Sequence, residues 1–140
     1  MTAKTIEELA ESFDLFDNWE DRYRYLIDLG TRLPPMDDSL KTDETLVRGC
    51  TSKVWMVAGT KEDSAGVPLF HFLADSNAQI VRGLIYVLML AYQDKPLAAI
   101  GGIDIGKSFA RLGLEGHLSP SRRNGFFAMV ERIRAQGGAA

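Results

Sequence analysis

Apolar residues recur at helical spacing in the opening segment, where Ile6, Leu9, Phe13 and Phe16 fall on one face. Thr5 with Glu8 three residues on reads as a capping box, each side chain satisfying the other residue's free backbone N–H. A second helix is predicted from Asn18 as N-cap to near Gly30, with Trp19, Tyr23, Leu26 and Ile27 on its inner side. Leu33-Pro34-Pro35 stops it, because proline has no N–H to give and restricts the residue before it. Residues 36–45 are polar and carry Asp37, Asp38, Asp43 and Glu44, so they are expected to form a surface loop.

The period then changes. Ser52 to Gly59 is rich in Val54, Trp55, Met56 and Val57, and Val67 to Leu73 is again β-prone after the turn Lys61 to Gly66; the two predict an antiparallel hairpin. Asp75-Ser76 precedes a third helix, with Ser76 and Gln79 as a second capping box. Its apolar residues, from Ala78 through Val81, Ile85 and Leu88 to Tyr92, reach most of the way round, which makes it a central, buried helix ended by Lys95-Pro96. Gly101, Gly102, Gly106, Gly113 and Gly116 break residues 97–118 into short helical pieces. Ser119-Pro120 sets an N-cap before a proline at the first helical position, and Phe126, Phe127, Val130 and Ile133 give the last helix its buried face up to Gly137-Gly138. The order of elements is that of an α+β fold, a small antiparallel sheet packed against helices, rather than of βαβ units.

Composition narrows the functional classes. The chain has 140 residues, 46% of them hydrophobic, and 16 Lys+Arg against 19 Asp+Glu for a formal net charge of −3. One domain spanning residues 1–140 is expected, with enough apolar residues for a core. Scattered basic residues in an acidic chain argue against nucleic acid as a partner. The longest apolar stretch, Ile80 to Tyr92, is broken by Arg82 and Gly83 and is too short for the ~20 residues that cross a bilayer. No apolar signal region follows Met1, so a cytoplasmic location and no membrane association are expected. The lone cysteine, Cys50, forbids an internal disulfide and an all-cysteine metal or cluster site within one chain.

Most catalytic templates fail. The chain contains no H-E-x-x-H, C-x-x-C or G-x-S-x-G. Gly101 to Ser108 has the spacing of a phosphate loop and ends in Gly-Lys-Ser, but Ile103 and Ile105 are bulky for it and no hydrophobic strand leads into it. His71, between Phe70 and Phe72, reads as an exposed or structurally hydrogen-bonded residue, and with His117 as the other histidine no metal centre is expected.

Cys50 is the informative position. Gly49 lets the backbone turn sharply before it, and Thr51-Ser52 follow it as polar residues, which suits a loop tip. Arg48 and Lys53 flank it, either as plain surface charges or as cations that favour the thiolate. A free thiol of pKa ~8.5 is about a tenth ionised near pH ~7.5, so a depression of about one unit makes roughly half of it nucleophilic. Burial acts the other way.

Around this residue the sequence resembles the SufE family of sulfur-acceptor proteins. Val47-Arg48-Gly49-Cys50-Thr51-Ser52-Lys53-Val54-Trp55 is similar to the family's acceptor loop, G-C-x-S-x-V-W. Asn18 to Tyr23 followed by Leu29-Gly30 and Leu33-Pro34, Asp75-Ser76 through Ile80 to Leu84, and His117 to Arg122 with Gly125 and Ala128-Met129 match three further segments in the same order. The resemblance implies a compact α+β fold shared with the IscU and NifU cluster scaffolds. It implies that Cys50 accepts sulfane sulfur, as a persulfide, from a cysteine desulfurase of SufS or CsdA type and delivers it to a SufB-type scaffold for iron–sulfur cluster assembly. No cofactor is then held stably; pyridoxal phosphate belongs to the desulfurase. The same resemblance makes Arg122 a candidate for orienting the loop or the transferred sulfur, against a plain first-turn arginine. It makes Asp75 a candidate for gating partner binding beside the loop, against simple capping of the third helix. It also implies that Val54 and Trp55 help shield the sulfur in an apolar cavity. His117 to Arg122 and Ser52 favour the Suf type of partner over the Csd type. Two other readings stay open: an adaptor that activates the desulfurase without carrying sulfur, and a redox-sensing thiol protein.

Overall fold

The computed structural model describes residues 4–49 and 52–137. Two helices open the chain, α1 (Ile6–Asp14) and α2 (Trp19–Gly30), and a short 3-10 turn at Asp38–Leu40 interrupts the acidic loop. The hairpin β1 (Val54–Glu62) and β2 (Pro68–Ser76) follows, and then the central helix α3 (Gln79–Tyr92). Short helical pieces at Leu97–Gly102, α4 (Ile105–Arg111) and Leu114–Gly116 lead to the long α5 (Pro120–Gly137).

The start signals act largely as read, with local differences. Thr5 Oγ1 accepts from the Glu8 N–H at 3.0 Å, but the Glu8 carboxylate takes the Lys4 N–H at 2.9 Å rather than that of Thr5, so the box is closed one residue earlier. Asn18 Oδ1 accepts from the Asp21 N–H at 2.9 Å, as expected of an N-cap. The second capping box does not form. The strands run longer than their apolar runs suggest, because pairing from Val54↔Ser76 to Glu62↔Pro68 carries β2 through Ser76. Ser76 Oγ donates to the Lys53 carbonyl at 2.7 Å and accepts from the Ala78 N–H at 3.1 Å, and Ala78 is the N-cap of α3 without a side-chain cap.

Burial alternates along β2, with Phe70, Phe72, Ala74 and Ser76 turned inward against the helices. The outer edge of β2 is covered by the chain leaving α3. Gln93 uses its side-chain amide like a strand residue, accepting from the Phe72 N–H and donating to the Phe72 carbonyl at 2.9 Å each. Asp94 N–H donates to Phe70 O, and Phe70 N–H to Lys95 O, at 2.8 Å each. The core gathers Leu9, Phe13, Leu26, Phe70, Phe72, Leu84, Ile85, Tyr92, Phe109 and Phe126, each side chain worth about 1.5–3 kcal/mol when fully buried. Tyr23 and Ile27, expected inside, are half-buried, and Leu26 and Leu29 take the inner positions of α2.

α2 and α3 pack unusually closely. A Cβ placed on Gly83 would collide with the Leu26 carbonyl, and one on Gly30 would lie 2.7 Å from the Gly83 nitrogen. Two glycines facing each other let the backbones touch, which orients the N-terminal half of α3 toward the hairpin mouth.

Candidate functional site

The site is assembled at that mouth, where the segment preceding β1 folds back along it. The Val47 N–H donates to the Val54 carbonyl and the Met56 N–H to the Thr45 carbonyl, both at 2.8 Å. These bonds close the base of the segment 48–53. Cys50 and Thr51 lie outside the described residues, and the site is built from their flanks. Gly49 has φ +90°, in the left-handed region that L side chains rarely adopt. Ser52 is partly buried and its Oγ accepts from Arg122 Nη1 at 2.9 Å.

Arg122 reaches Ser52 because Ser119 caps α5. The Ser119 hydroxyl accepts the Arg122 N–H at 3.2 Å, which fixes the first turn, from which the guanidinium reaches Ser52. Arg122 is therefore partly buried against the loop and is not a fully solvated first-turn residue. Beneath the pair lies a cavity of about 10 Å³, lined by Ser52, Val54, Val81, Leu84, Gly125 and Met129 among others. Most of its lining is apolar, with Arg122, Ser52 and Ser121 as its polar members. About one water-sized atom fits there. A second, more open groove of about 270 Å³ is lined by Tyr23, Ile27, Ile80, His117 and Leu118, and Arg122 borders both spaces. His117 itself is stacked on Trp19, ring centroids 3.9 Å apart and planes inclined by 14°.

The remaining candidates are distributed around this centre. Arg48 and Lys53 have exposed side chains. The main chain of Lys53 is firmly held, its N–H on Asn77 Oδ1 at 3.1 Å and its carbonyl on Ser76 Oγ. Asp75 pairs with Trp55 across the hairpin and, alternating with buried Ala74 and Ser76, faces away from the core. It does not cap α3. Its two oxygens lie 3.0 Å from Lys41 Nζ and 3.0 Å from Arg82 Nε. The hydrogen bond to Asp75 holds the Lys41 ammonium above the usual lysine range, and Lys41 also lies 5.5 Å from the Trp55 ring centroid.

The structure thus brings Gly49, Ser52 and Arg122 together along α5, and sets Asp75 on the outer sheet face with Lys41 and Arg82. Sequence reasoning missed Lys41, Arg82, Asn77 and Arg132. For Arg132 a signal existed: Arg122, Gly125, Met129 and Arg132 recur at i, i+3, i+7 and i+10, one side of a helix. For Lys41 none did, because it reaches β2 from an irregular loop.

The phosphate-loop segment is also accounted for. Asp104 Oδ1 accepts the Lys107 N–H at 3.0 Å, so a carboxylate occupies the place a phosphate would take. His71 Nδ1 lies 3.3 Å from Asp94, an exposed structural contact. Among the described residues no group of three His, Cys, Asp or Glu could hold a metal ion, and no helix is long and apolar enough to cross a membrane.

Comparison with known proteins gives this arrangement a family. Residues 7–137 match the model of the SufE Fe-S metabolism associated domain. An uncharacterized SufE-like protein of Rhizobium etli is 40% identical over 132 residues, 94% of this chain and 88% of that protein. A second uncharacterized SufE-like protein, from Rhizobium meliloti, is 39% identical over 132 residues, covering 94% of each. The chain belongs to the SufE family, and its role lies in iron–sulfur metabolism. A solution structure of a hypothetical protein from Thermus thermophilus superposes with a TM-score of 0.74 at 20% identity, covering 100% of this chain and 98% of the other. At that identity it supports the fold: helices around a small antiparallel sheet, as the sequence pattern predicts.

Proposed function

We propose that this protein accepts sulfane sulfur on Cys50 from a cysteine desulfurase and carries it toward iron–sulfur cluster assembly. The observation that carries the reading is the Arg122 to Ser52 hydrogen bond over an apolar cavity, two residues from the lone cysteine, in a chain of the SufE family. In the proposed step the Cys50 thiolate attacks the outer sulfur of the donor's persulfide. The new S–S bond forms as the donor's S–S bond breaks, and the electron pair leaves on the donor thiolate. One sulfane sulfur changes hands with no external oxidant or reductant. The desulfurase supplies the pyridoxal phosphate that releases sulfur from cysteine; a scaffold of SufB type receives it, and the SufS type of desulfurase is the favoured donor.

Arg122 is the residue we assign to presenting the loop and to offering positive charge near the transferred sulfur. Gly49 supplies the turn, and Arg48 and Lys53 flank it as exposed cations that favour the thiolate. Asp75, held between Lys41 and Arg82, is the gating candidate where a partner would compete for its ion pairs. The test is intact mass after incubation with a SufS-type desulfurase and cysteine, beside Cys50→Ser. The expected result is a gain of about 32 mass units per sulfur, reversed by reductant and absent in the variant. Stimulation of the desulfurase by Cys50→Ser at the wild-type level, with no mass gain in the wild type, would replace the carrier with an adaptor.

A further inference from the structure

We propose that Arg132 is a positioning residue for Cys50, acting through the upstream arm of its loop; the proposal rests on the sulfur-acceptor reading above. Arg132 lies on α5 ten residues beyond Arg122, about 15 Å along the helix axis. Its Nη1 donates to the Leu46 carbonyl at 2.9 Å and its Nη2 to the Glu44 carbonyl at 2.8 Å. The two oxygens belong to residues two apart, where the turn at 43–45 gives way to the bridge of Leu46 with Trp55. Thr45 O, between them, and Val47 N, just beyond them, are bonded to β1 instead. Residues 44–47 are thus held between β1 and a single guanidinium, whose planar fork suits two oxygens at once.

Beyond that grip, successive described residues meet α5 in reverse order. Residues 44 and 46 meet Arg132, the Cα of Gly49 faces Ala128, where an added Cβ would come within 3.5 Å of its methyl, and Ser52 meets Arg122. The contacts at the two ends differ in kind. Arg122 holds a side-chain hydroxyl with one bond, whereas Arg132 holds main chain with two, on an arm also paired to β1. The Arg132 end is thus the more firmly held of the two. Lysine at 132 offers a point charge without the fork and cannot bridge both carbonyls in the same way.

The experiment compares wild type, Arg132→Met, Arg132→Lys and, as control, Arg134→Met, whose arginine bonds the Ile103 carbonyl at 3.5 Å, outside the loop. Two readouts are taken on samples shown to be folded by near-UV circular dichroism: the alkylation rate of Cys50 by iodoacetamide, and the KM and kcat of sulfur uptake from a SufS-type desulfurase. Arg132→Met is expected to speed alkylation by about threefold or more, because it frees the arm that leads to the thiol. It is expected to raise the acceptor KM, because the enzyme needs the thiol in one place; Arg132→Lys falls between, and Arg134→Met behaves as wild type. Equal behaviour of Arg132→Met and Arg134→Met in both readouts would overturn the proposal. A wild type that takes up no sulfur would instead overturn the acceptor reading, and the alkylation comparison would still decide the clamp.

Discussion

Gly49 is constrained by its backbone conformation and not by space. Its φ of +90° is the whole of its constraint, since the nearest atom to an added Cβ, on Ala128, would be 3.5 Å away, an ordinary contact. Gly49→Ala is therefore expected to cost about 1–2 kcal/mol through backbone strain alone. Gly49→Asn should cost less, because asparagine tolerates left-handed backbone better, and Gly49→Val more; urea midpoints of the three variants at constant m-value test the ranking. This position was legible in the sequence as a turn glycine before a lone cysteine. The bond from Arg122 to Ser52 was not, because it joins residues 70 positions apart and depends on how α5 lies across the hairpin. A chain pattern ranks faces and ends of elements; it carries no information on which distant side chain meets them.

Among the elements, α3 is the one whose placement everything else follows. Its apolar run, broken by Arg82-Gly83, announces a buried helix, and Val81, Leu84, Ile85, Val87 and Leu88 are indeed in the core. What the pattern does not announce is that Gly83 is there to admit the backbone of α2. Alanine in a helix interior is favoured over glycine by about 1 kcal/mol, so propensity alone predicts that Gly83→Ala stabilises. The added carbon, however, would meet the Leu26 carbonyl, a backbone atom that cannot swing aside. Overpacking costs about 1–3 kcal/mol in cores and more against main chain, so the net effect is expected to be a loss of about 2 kcal/mol. A melting temperature lower by about 4–8 °C would follow; an unchanged or raised one would mean the two helices can separate at small cost. The strand ends show the same limit from the other side: the hydrophobic run stops at Leu73, and the ladder continues to Ser76 because pairing, once begun, is extended by backbone groups of any residue.

For the molecule as a whole, charge is spread thinly and its contributions are local. Asp94 is a non-glycine residue at φ 61°, at the corner where α3 hands over to the cover of β2. Burial pushes its carboxyl up, but hydrogen bonds from Lys61 and His71 outweigh this and hold it below the usual aspartate range. A depressed carboxylate stabilises the fold above its unfolded pKa and ceases to as pH falls through the folded value. Asp94→Asn, which keeps a residue suited to positive φ, is expected to melt about 1–2 °C below wild type near neutral pH. The gap should close as the pH falls below the usual aspartate range; a gap that persists at the acid end would show that the carboxylate's charge is not its source. The overall architecture was readable because helix periods, caps and β-prone runs each pointed to their own element. The acidic loop was readable only as surface, although Met36 within it is buried and Lys41 ties it to β2.

That loop ends in the arm gripped by Arg132, and the grip is on carbonyl oxygens, which every residue carries. Substitutions at Glu44 and Leu46 therefore leave the hold itself in place, whereas a change at position 132 removes it at once. Over evolutionary time the lead into the cysteine would be free to drift in charge and in shape toward new partners, with the inherited constraint resting on one helix a long way down the chain.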